Sequence, residues 1–82
     1  MQAQRIKAKV KRAKLENDRA FRDCEPDVVY NAIINLDDPD FGKECILVDG
    51  CGEDVYCTTA DLEIVEKGDV YETTYTELFR NF

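Results

Sequence analysis

Residues 42–59, GKECILVDGCGEDVYCTT, decide how the middle of this chain folds. The segments Gly42–Asp49 and Glu53–Thr59 are rich in β-branched and aromatic side chains, and they flank the tripeptide Gly50-Cys51-Gly52. Two such segments joined by a short glycine loop predict a β-hairpin. The sequence therefore predicts two antiparallel strands here, and the rest of the chain has to pack around them.

The hairpin also predicts which side chains share a face. Centring the turn on the middle of the glycine loop sets Leu47 opposite Val55 and Cys45 opposite Cys57. Alternate residues of a strand point to the same side of a sheet, so these four side chains share one face. We expect that face to be the core, with Tyr56 pointing away from it.

The segments after the hairpin predict short elements. Residues 60–65, ADLEIV, read as a turn and a strand, Lys67-Gly68-Asp69 as another turn, and residues 70–73 as a candidate last strand. Thr74 precedes Glu77 by three residues, which is the spacing of a helix capping box. The side chains expected on one face of this C-terminal helix are Tyr75, Leu78, Phe79 and Phe82.

On the N-terminal side, Asp27–Asn35 (DVVYNAIIN) is rich in β-branched and aromatic residues and favours a strand. A helix starting near Pro26 is the alternative for the same stretch. The run Asp37-Asp38-Pro39-Asp40 predicts a turn. Gln2–Arg22 contains many good helix formers and no Gly or Pro, and it predicts one helix with a narrow apolar stripe.

This order of elements resembles the small SH3-like barrels, the group that includes the KOW and Tudor modules. The resemblance covers residues 28–65 and is carried by Phe41-Gly42-Lys43 before the hairpin and by the sequence DLEIV after it. It implies an α+β protein with an N-terminal basic helix, an SH3-like antiparallel barrel or sheet and a short C-terminal helix. A Tudor-type cage needs several aromatic residues, and only Tyr30 and Tyr56 are obvious candidates, so binding of methyl-lysine is not predicted.

Charge divides the chain by position. Residues 1–23 carry eight basic and three acidic side chains, a net charge of +5, whereas residues 24–82 carry three basic and fifteen acidic ones, a net charge of −12. The division predicts a basic helical segment (1–23) and an acidic β domain (24–82). Such an asymmetry is typical of a chain that binds another molecule.

Composition argues against catalysis and cofactors. The chain has no His, which removes the commonest general base and metal ligand. Its four cysteines are widely spaced and lack the close pairs of structural zinc sites, so we expect buried thiols, with Cys51 exposed at the loop tip. The acidic run 37–40 lacks the alternating pattern of a calcium loop. We therefore expect no enzyme activity, catalytic residue, metal or other cofactor.

Two functional hypotheses remain. In the first, the acidic domain binds a larger protein or protein–nucleic-acid complex, as a phage-type inhibitor or assembly factor does; small acidic anti-CRISPR and anti-restriction proteins are similar in size and charge. The contact residues predicted for it are Asp37, Asp38, Asp40, Glu53, Asp54 and Tyr56. In the second, the basic helix binds nucleic acid through Arg5, Lys9, Arg12 and Arg19.

Neither hypothesis involves a membrane or a small-molecule substrate. No stretch approaches the roughly 20 apolar residues that span a bilayer. The N-terminus shows no secretory signal, so we expect a cytoplasmic protein.

Overall fold

A computed structural model describes residues 1–78 of the chain. It is a small α+β domain in which one antiparallel sheet carries two short helices and two 3-10 turns. The strands are β1 (Gln2–Val10), β2 (Tyr30–Asn35), β3 (Glu44–Val48), β4 (Asp54–Thr58) and β5 (Leu62–Glu72). The helices are α1 (Arg12–Asn17) and α2 (Tyr75–Leu78), and the 3-10 turns are Arg19–Phe21 and Thr59–Asp61.

The five strands lie in the order β4-β3-β2-β1-β5, and every neighbouring pair is antiparallel. The first strand therefore lies in the interior of the sheet, between β2 and β5, and the last strand is an edge. Among residues 1–78, no helix is both long and apolar enough to cross a membrane.

The predicted hairpin is confirmed down to its register. β3 and β4 pair with Cys45 opposite Cys57 and Leu47 opposite Val55. The side chains of Cys45, Leu47 and Val55 are buried and that of Cys57 is partly buried in one cluster, while Tyr56 is exposed. The observed strand pairing matches the predicted register because the glycine loop permits only a short connection between the two strands.

The helix predicted over Gln2–Arg22 was wrong. Its first half is β1, which pairs with β2 on one side and β5 on the other, and only the short α1 is helical in the α sense. Residues 6–11, IKAKVK, alternate apolar and basic side chains, and this period of two puts Ile6, Ala8 and Val10 in the core. Burial of those side chains outweighs the helix propensity of Ala and Lys.

The turn predicted at Lys67-Gly68-Asp69 was also wrong, because β5 continues through it. The β1–β5 pairing instead shifts register between Gln4 and Ile6 and again between Lys7 and Ala8. A β-carbon on Gly68 would lie 3.1 Å from the carbonyl oxygen of Arg5, so a side chain there would crowd the backbone of β1. The glycine that suggested a turn marks an irregularity in the ladder.

Both faces of the sheet carry a core. The larger cluster centres on Phe21, Cys45 and Leu47, and the segment between β1 and β2 covers it with the ring of Phe21, which is 1% exposed. On the opposite face, Leu78 of α2 packs with a second cluster whose other buried members are Ala3, Ile33 and Ile46. The helix α2 is thereby held on the outer face of β2 and β3.

The structure also tests the predictions for the segments on either side of the hairpin. The strand favoured over Asp27–Asn35 is present but begins at Tyr30. The 3-10 turn at Thr59–Asp61 and the start of β5 confirm the turn and strand predicted over residues 60–65. The C-terminal helix begins with the predicted cap, since the backbone N–H of Glu77 donates to the Thr74 hydroxyl at 3.2 Å. Its predicted face members Phe79 and Phe82 lie outside the described residues.

Candidate functional site

The loop between β2 and β3 is shaped by Asp38. Its carboxylate accepts hydrogen bonds from the backbone N–H of Asp40 at 3.0 Å and of Glu44 at 2.7 Å, and its carbonyl accepts one from the Lys43 ammonium at 2.6 Å. The two backbone bonds, assisted by the charge of Lys43, hold the pKa of Asp38 below its usual value. Asp38 is thus a structural residue, and its charge is still present at the surface at neutral pH.

The other acids of this loop differ in their roles. The Asp37 carboxylate accepts a hydrogen bond from the backbone N–H of Gln2 at 3.0 Å, which ties the loop to the start of β1. Asp40 points into solvent, and the ring of the following residue, Phe41, is fully exposed. The tip of this loop therefore exposes an aromatic side chain next to a carboxylate.

Two residues that the sequence did not single out complete this end of the sheet. The Tyr75 hydroxyl, carried by α2, donates to Oε2 of Glu44 at 3.1 Å. Glu44 pairs with Thr58, so Tyr56, two residues before Thr58 on β4, is its diagonal neighbour on the same face. We call Asp38, Asp40, Phe41, Glu44, Tyr56 and Tyr75 the acidic–aromatic patch.

Electrostatics in the patch are consistently negative. The hydrogen bond to Glu44 raises the pKa of Tyr75, and the nearby charges of Glu44 and Asp38 and the neighbouring Tyr56 add to this rise. Tyr56 and Tyr75 keep 64% and 55% of their surface exposed. The patch therefore presents aromatic rings beside carboxylates, an arrangement that attracts cations.

Glu53 and Asp54 lie elsewhere. They stand at the β3–β4 turn, at the opposite end of β3 from the β2–β3 loop, about 13 Å away at 3.3 Å per residue. Together with Tyr56 they line a hollow of about 270 Å³. The structure therefore divides the six predicted contact residues into two groups, and the ring of Tyr56 borders both.

Three carboxyl groups converge beneath this turn. Asp23, Asp49 and Glu53 place ligand atoms within 4.8 Å of one another, the arrangement that a metal site requires. However, Oδ1 of the buried Asp49 already accepts the backbone N–H groups of Cys51 at 2.9 Å and Glu53 at 3.0 Å. Closure of the turn accounts for Asp49, and the cluster gives no independent sign of a metal.

Four of the eight basic side chains in residues 1–23 contact later parts of the chain. The Arg5 guanidinium lies 4.4 Å from the centre of the Tyr71 ring. Ion pairs connect Lys7 to Glu66 at 3.9 Å, Arg12 to Asp27 at 3.5 Å and Lys14 to Asp61 at 3.3 Å. Three of the eight basic side chains of residues 1–23 are thus paired with acids that follow this segment in the chain.

The four residues predicted to bind nucleic acid are not brought together as a single helical face. Arg5 and Lys9 lie on β1, where Lys9 pairs with Glu63 of β5. Arg12 opens α1, and Arg19 lies exposed in the following 3-10 turn. The predicted face was lost because the segment that carried it is a strand, not a helix.

The cysteines are thiols of low reactivity. The hydrogen bond that the Cys57 thiol donates to Cys45, together with burial, raises the pKa of Cys57 far above its usual value, and burial, aided by Asp49 and Asp23, raises the pKa of Cys24 to about 11. Cys51 is exposed as predicted, and the charge of Asp23 raises its pKa as well. A thiol must lose its proton to act as a nucleophile, so none of these three is activated.

Comparison of the chain with protein-family models, with curated proteins and with solved structures finds no match. The functional argument therefore rests on the geometry and charge of the described residues.

Proposed function

We propose that this protein is a non-enzymatic interaction module that binds a basic surface of a larger protein through the acidic–aromatic patch. The observation that carries the proposal is the unequal use of charge. Lys7, Arg12 and Lys14 are paired with acids of the same chain, whereas the Asp40 carboxylate and the adjacent Phe41 ring are exposed. What the molecule offers a partner is thus predominantly negative and aromatic.

Such a surface suits a protein partner. Exposed carboxylates steer a cationic partner and raise its association rate, while aromatic side chains supply most of the binding energy once water is excluded. Phe41, Tyr56 and Tyr75 provide the aromatic component. A groove built for nucleic acid is basic, so a nucleic-acid-handling protein is the partner class we favour, with this chain acting as a phage-type inhibitor or an assembly factor in the cytoplasm.

The finer fold assignment belongs to the same proposal. The central hairpin, the 3-10 turn that leads into β5 and the pairing of β1 with both β2 and β5 support an SH3-like barrel. The absence of His from the sequence and the raised thiol pKa values support a binding role over a catalytic one.

Affinity capture with matched variants tests the proposal. The wild-type protein is immobilised and exposed to extract of its host, and bound proteins are identified by mass spectrometry. We expect a specific partner that the double variant Asp40→Lys/Tyr56→Ala loses and that Glu63→Lys/Asp69→Lys, with two reversals on β5, retains. Nucleic acid should compete for that partner. Loss through the β5 variant with retention by the patch variant would contradict the proposal.

A nucleic-acid accessory role is the alternative. One observation favours it: a hollow of about 370 Å³ over β1, β2 and β5 is lined by Arg5, Lys7 and Asn31, among others. Glu66 lines the same hollow and pairs with Lys7, so the positive potential needed to hold phosphate is reduced there. The alternative is therefore the weaker proposal.

A further inference from the structure

Glu44, a member of the acidic–aromatic patch, has a buried carboxylate oxygen without a hydrogen-bond donor in the described part of the chain. Oε2 of its carboxylate accepts the Tyr75 hydroxyl at 3.1 Å, but Oε1 is buried and accepts no hydrogen bond from any residue among 1–78. A buried acceptor without a donor loses its hydration and gains nothing in return. The nearby cation Lys43 donates to the carbonyl of Asp38 instead.

The surroundings of this oxygen resemble half of a binding site. The Tyr75 hydroxyl reaches the carboxylate from α2, a helix of only four residues. The Tyr56 ring lies on the same face of β4, diagonal to Glu44. Asp38 holds the backbone N–H of Glu44 at 2.7 Å and fixes the position of that residue at the start of β3.

We propose that Glu44, Tyr75 and Tyr56 form a subsite for an arginine side chain of the partner. This inference rests on the proposed function and names the group that the patch recognises. A guanidinium presents several N–H donors in one plane, so it can satisfy Oε1 and replace the Tyr75 hydroxyl as the donor to Oε2. Its flat faces can stack on the exposed tyrosine rings.

Arginine fits better than lysine for a physical reason. The lysine ammonium is a compact, strongly hydrated charge and gives up its water reluctantly, whereas the guanidinium is weakly hydrated and matches a carboxylate with two parallel bonds. Entry requires Tyr75 to swing aside from Glu44. The hydroxyl bond of Tyr75 therefore competes with the ligand, while its ring assists the ligand.

Three short peptide amides test the subsite by NMR titration of the full-length protein: tetra-arginine, tetra-lysine and the uncharged tetra-citrulline. We expect tetra-arginine to shift the amide signals of Glu44, Tyr56 and Tyr75 and to bind at least about fivefold more tightly than tetra-lysine. Tetra-citrulline, which has the shape without the charge, should not bind. Glu44→Gln should weaken tetra-arginine binding at least about fivefold, and the charge-matched Glu63→Gln on β5 should change it less than about twofold.

Two tyrosine variants separate the roles of ring and hydroxyl. Tyr75→Phe should bind tetra-arginine at least as tightly as the wild type, because the ring remains and the competing donor is gone. Tyr75→Ala should bind more weakly. Arg80→Gln removes the chain's own arginine nearest to α2 in sequence and should leave the preference for arginine over lysine intact. Melting curves confirm that each variant is folded.

The outcomes distinguish the subsite from the proposed function. Equal binding of arginine and lysine peptides, with Glu44→Gln and Glu63→Gln alike, would overturn the subsite and leave a general attraction of the patch for cations. Loss of the preference in Arg80→Gln would overturn it too. Failure of both cationic peptides to bind even at low salt would overturn the subsite and contradict the proposed function as well.

Discussion

The strand β1 and the acidic–aromatic patch belong to one sheet and use their charges in opposite ways. On β1, Lys7 forms an ion pair with Glu66 and Arg5 lies over the Tyr71 ring, so both cationic side chains contact the neighbouring strand β5. In the patch, Asp40 and the aromatic rings face solvent, and Glu44 keeps one buried oxygen without a donor. Charge contributes to contacts between strands in the first region and is exposed at the surface in the second.

The difference shows that the distribution of charge along a sequence does not give its distribution over the folded surface. The N-terminal +5 and the remaining −12 suggested two separate segments, yet β5 brings Glu63 and Glu66 beside the lysines of β1. Antiparallel pairing of a basic with an acidic strand cancels charge across the ladder. The whole chain keeps a net charge of −7, so acidic groups remain in excess.

The largest expected effect tests whether β1 is an integral strand. Ile6 is 3% exposed, and Ile6→Asp would bury an unpaired carboxylate, costing more than about 3 kcal/mol of a total of roughly 5–10 kcal/mol. We expect a largely unfolded protein by circular dichroism, as for Leu47→Asp in the central hairpin. Asn31→Asp, an exposed change on β2 opposite Lys7, is the control and should melt like the wild type. A folded Ile6→Asp would show that β1 is detachable.

A smaller loss of stability is expected from changes at Asp61 of the 3-10 turn or at Lys14 of α1, which form an ion pair. Asp61 accepts the backbone N–H of Thr58 at 3.1 Å and pairs with Lys14 at 3.3 Å. Asp61→Ala removes the cap of the 3-10 turn and should lower the free energy of unfolding by about 1–2 kcal/mol in urea titrations. Lys14→Gln removes only a partly exposed ion pair and should cost about 0.5 kcal/mol or less. If Lys14→Gln cost as much as Asp61→Ala, the ion pair would outweigh the cap.

The smallest effect concerns acid pH at the patch. Because hydrogen bonds from Asp40 and Glu44 lower the pKa of Asp38 in the folded state, its contribution to stability is present above the unfolded pKa of about 3.9 and is lost as pH falls through the folded pKa. The Tm of Asp38→Asn should therefore lie below that of the wild type at pH 6, with the gap narrowing toward pH 2.5. Asp40→Asn is the control for loss of a surface charge. A gap independent of pH would exclude this role for the Asp38 carboxylate.

The sequence predicted the hairpin well because its information is local. A glycine loop and two β-rich runs determine a register within eighteen residues, and that register correctly buried Cys45 and Leu47. Whether this segment is a strand or a helix depends on its pairing with β2 and β5, which follow it by about 20 and 60 residues in the chain. The helix prediction for β1 was wrong because the strict alternation of Ile6, Ala8 and Val10 with lysines was a stronger signal than the helix propensity of the segment.

The candidate site was predictable only in part. Acidic residues of the β2–β3 loop were identified from composition, but nothing in the sequence showed that the Asp37 and Asp38 carboxylates bind backbone N–H groups. Glu44 could have been placed on the face of Tyr56 from the hairpin register alone. Tyr75 could not, because its contact with Glu44 depends on how α2 packs, and Leu78 sets that packing across the sheet.

The most direct test of the account is the affinity of the intact protein for a labelled random 20-nucleotide single-stranded DNA, followed by fluorescence anisotropy at rising salt. If the positive charge of the N-terminal region is balanced inside the fold and excess acid faces solvent, like charges repel and screening at physiological salt acts over about 8 Å. The account predicts no complex tighter than about 10 μM at physiological salt. A sub-micromolar complex whose affinity falls steeply as salt rises would contradict it and favour the basic residues of β1 and α1 as the functional surface.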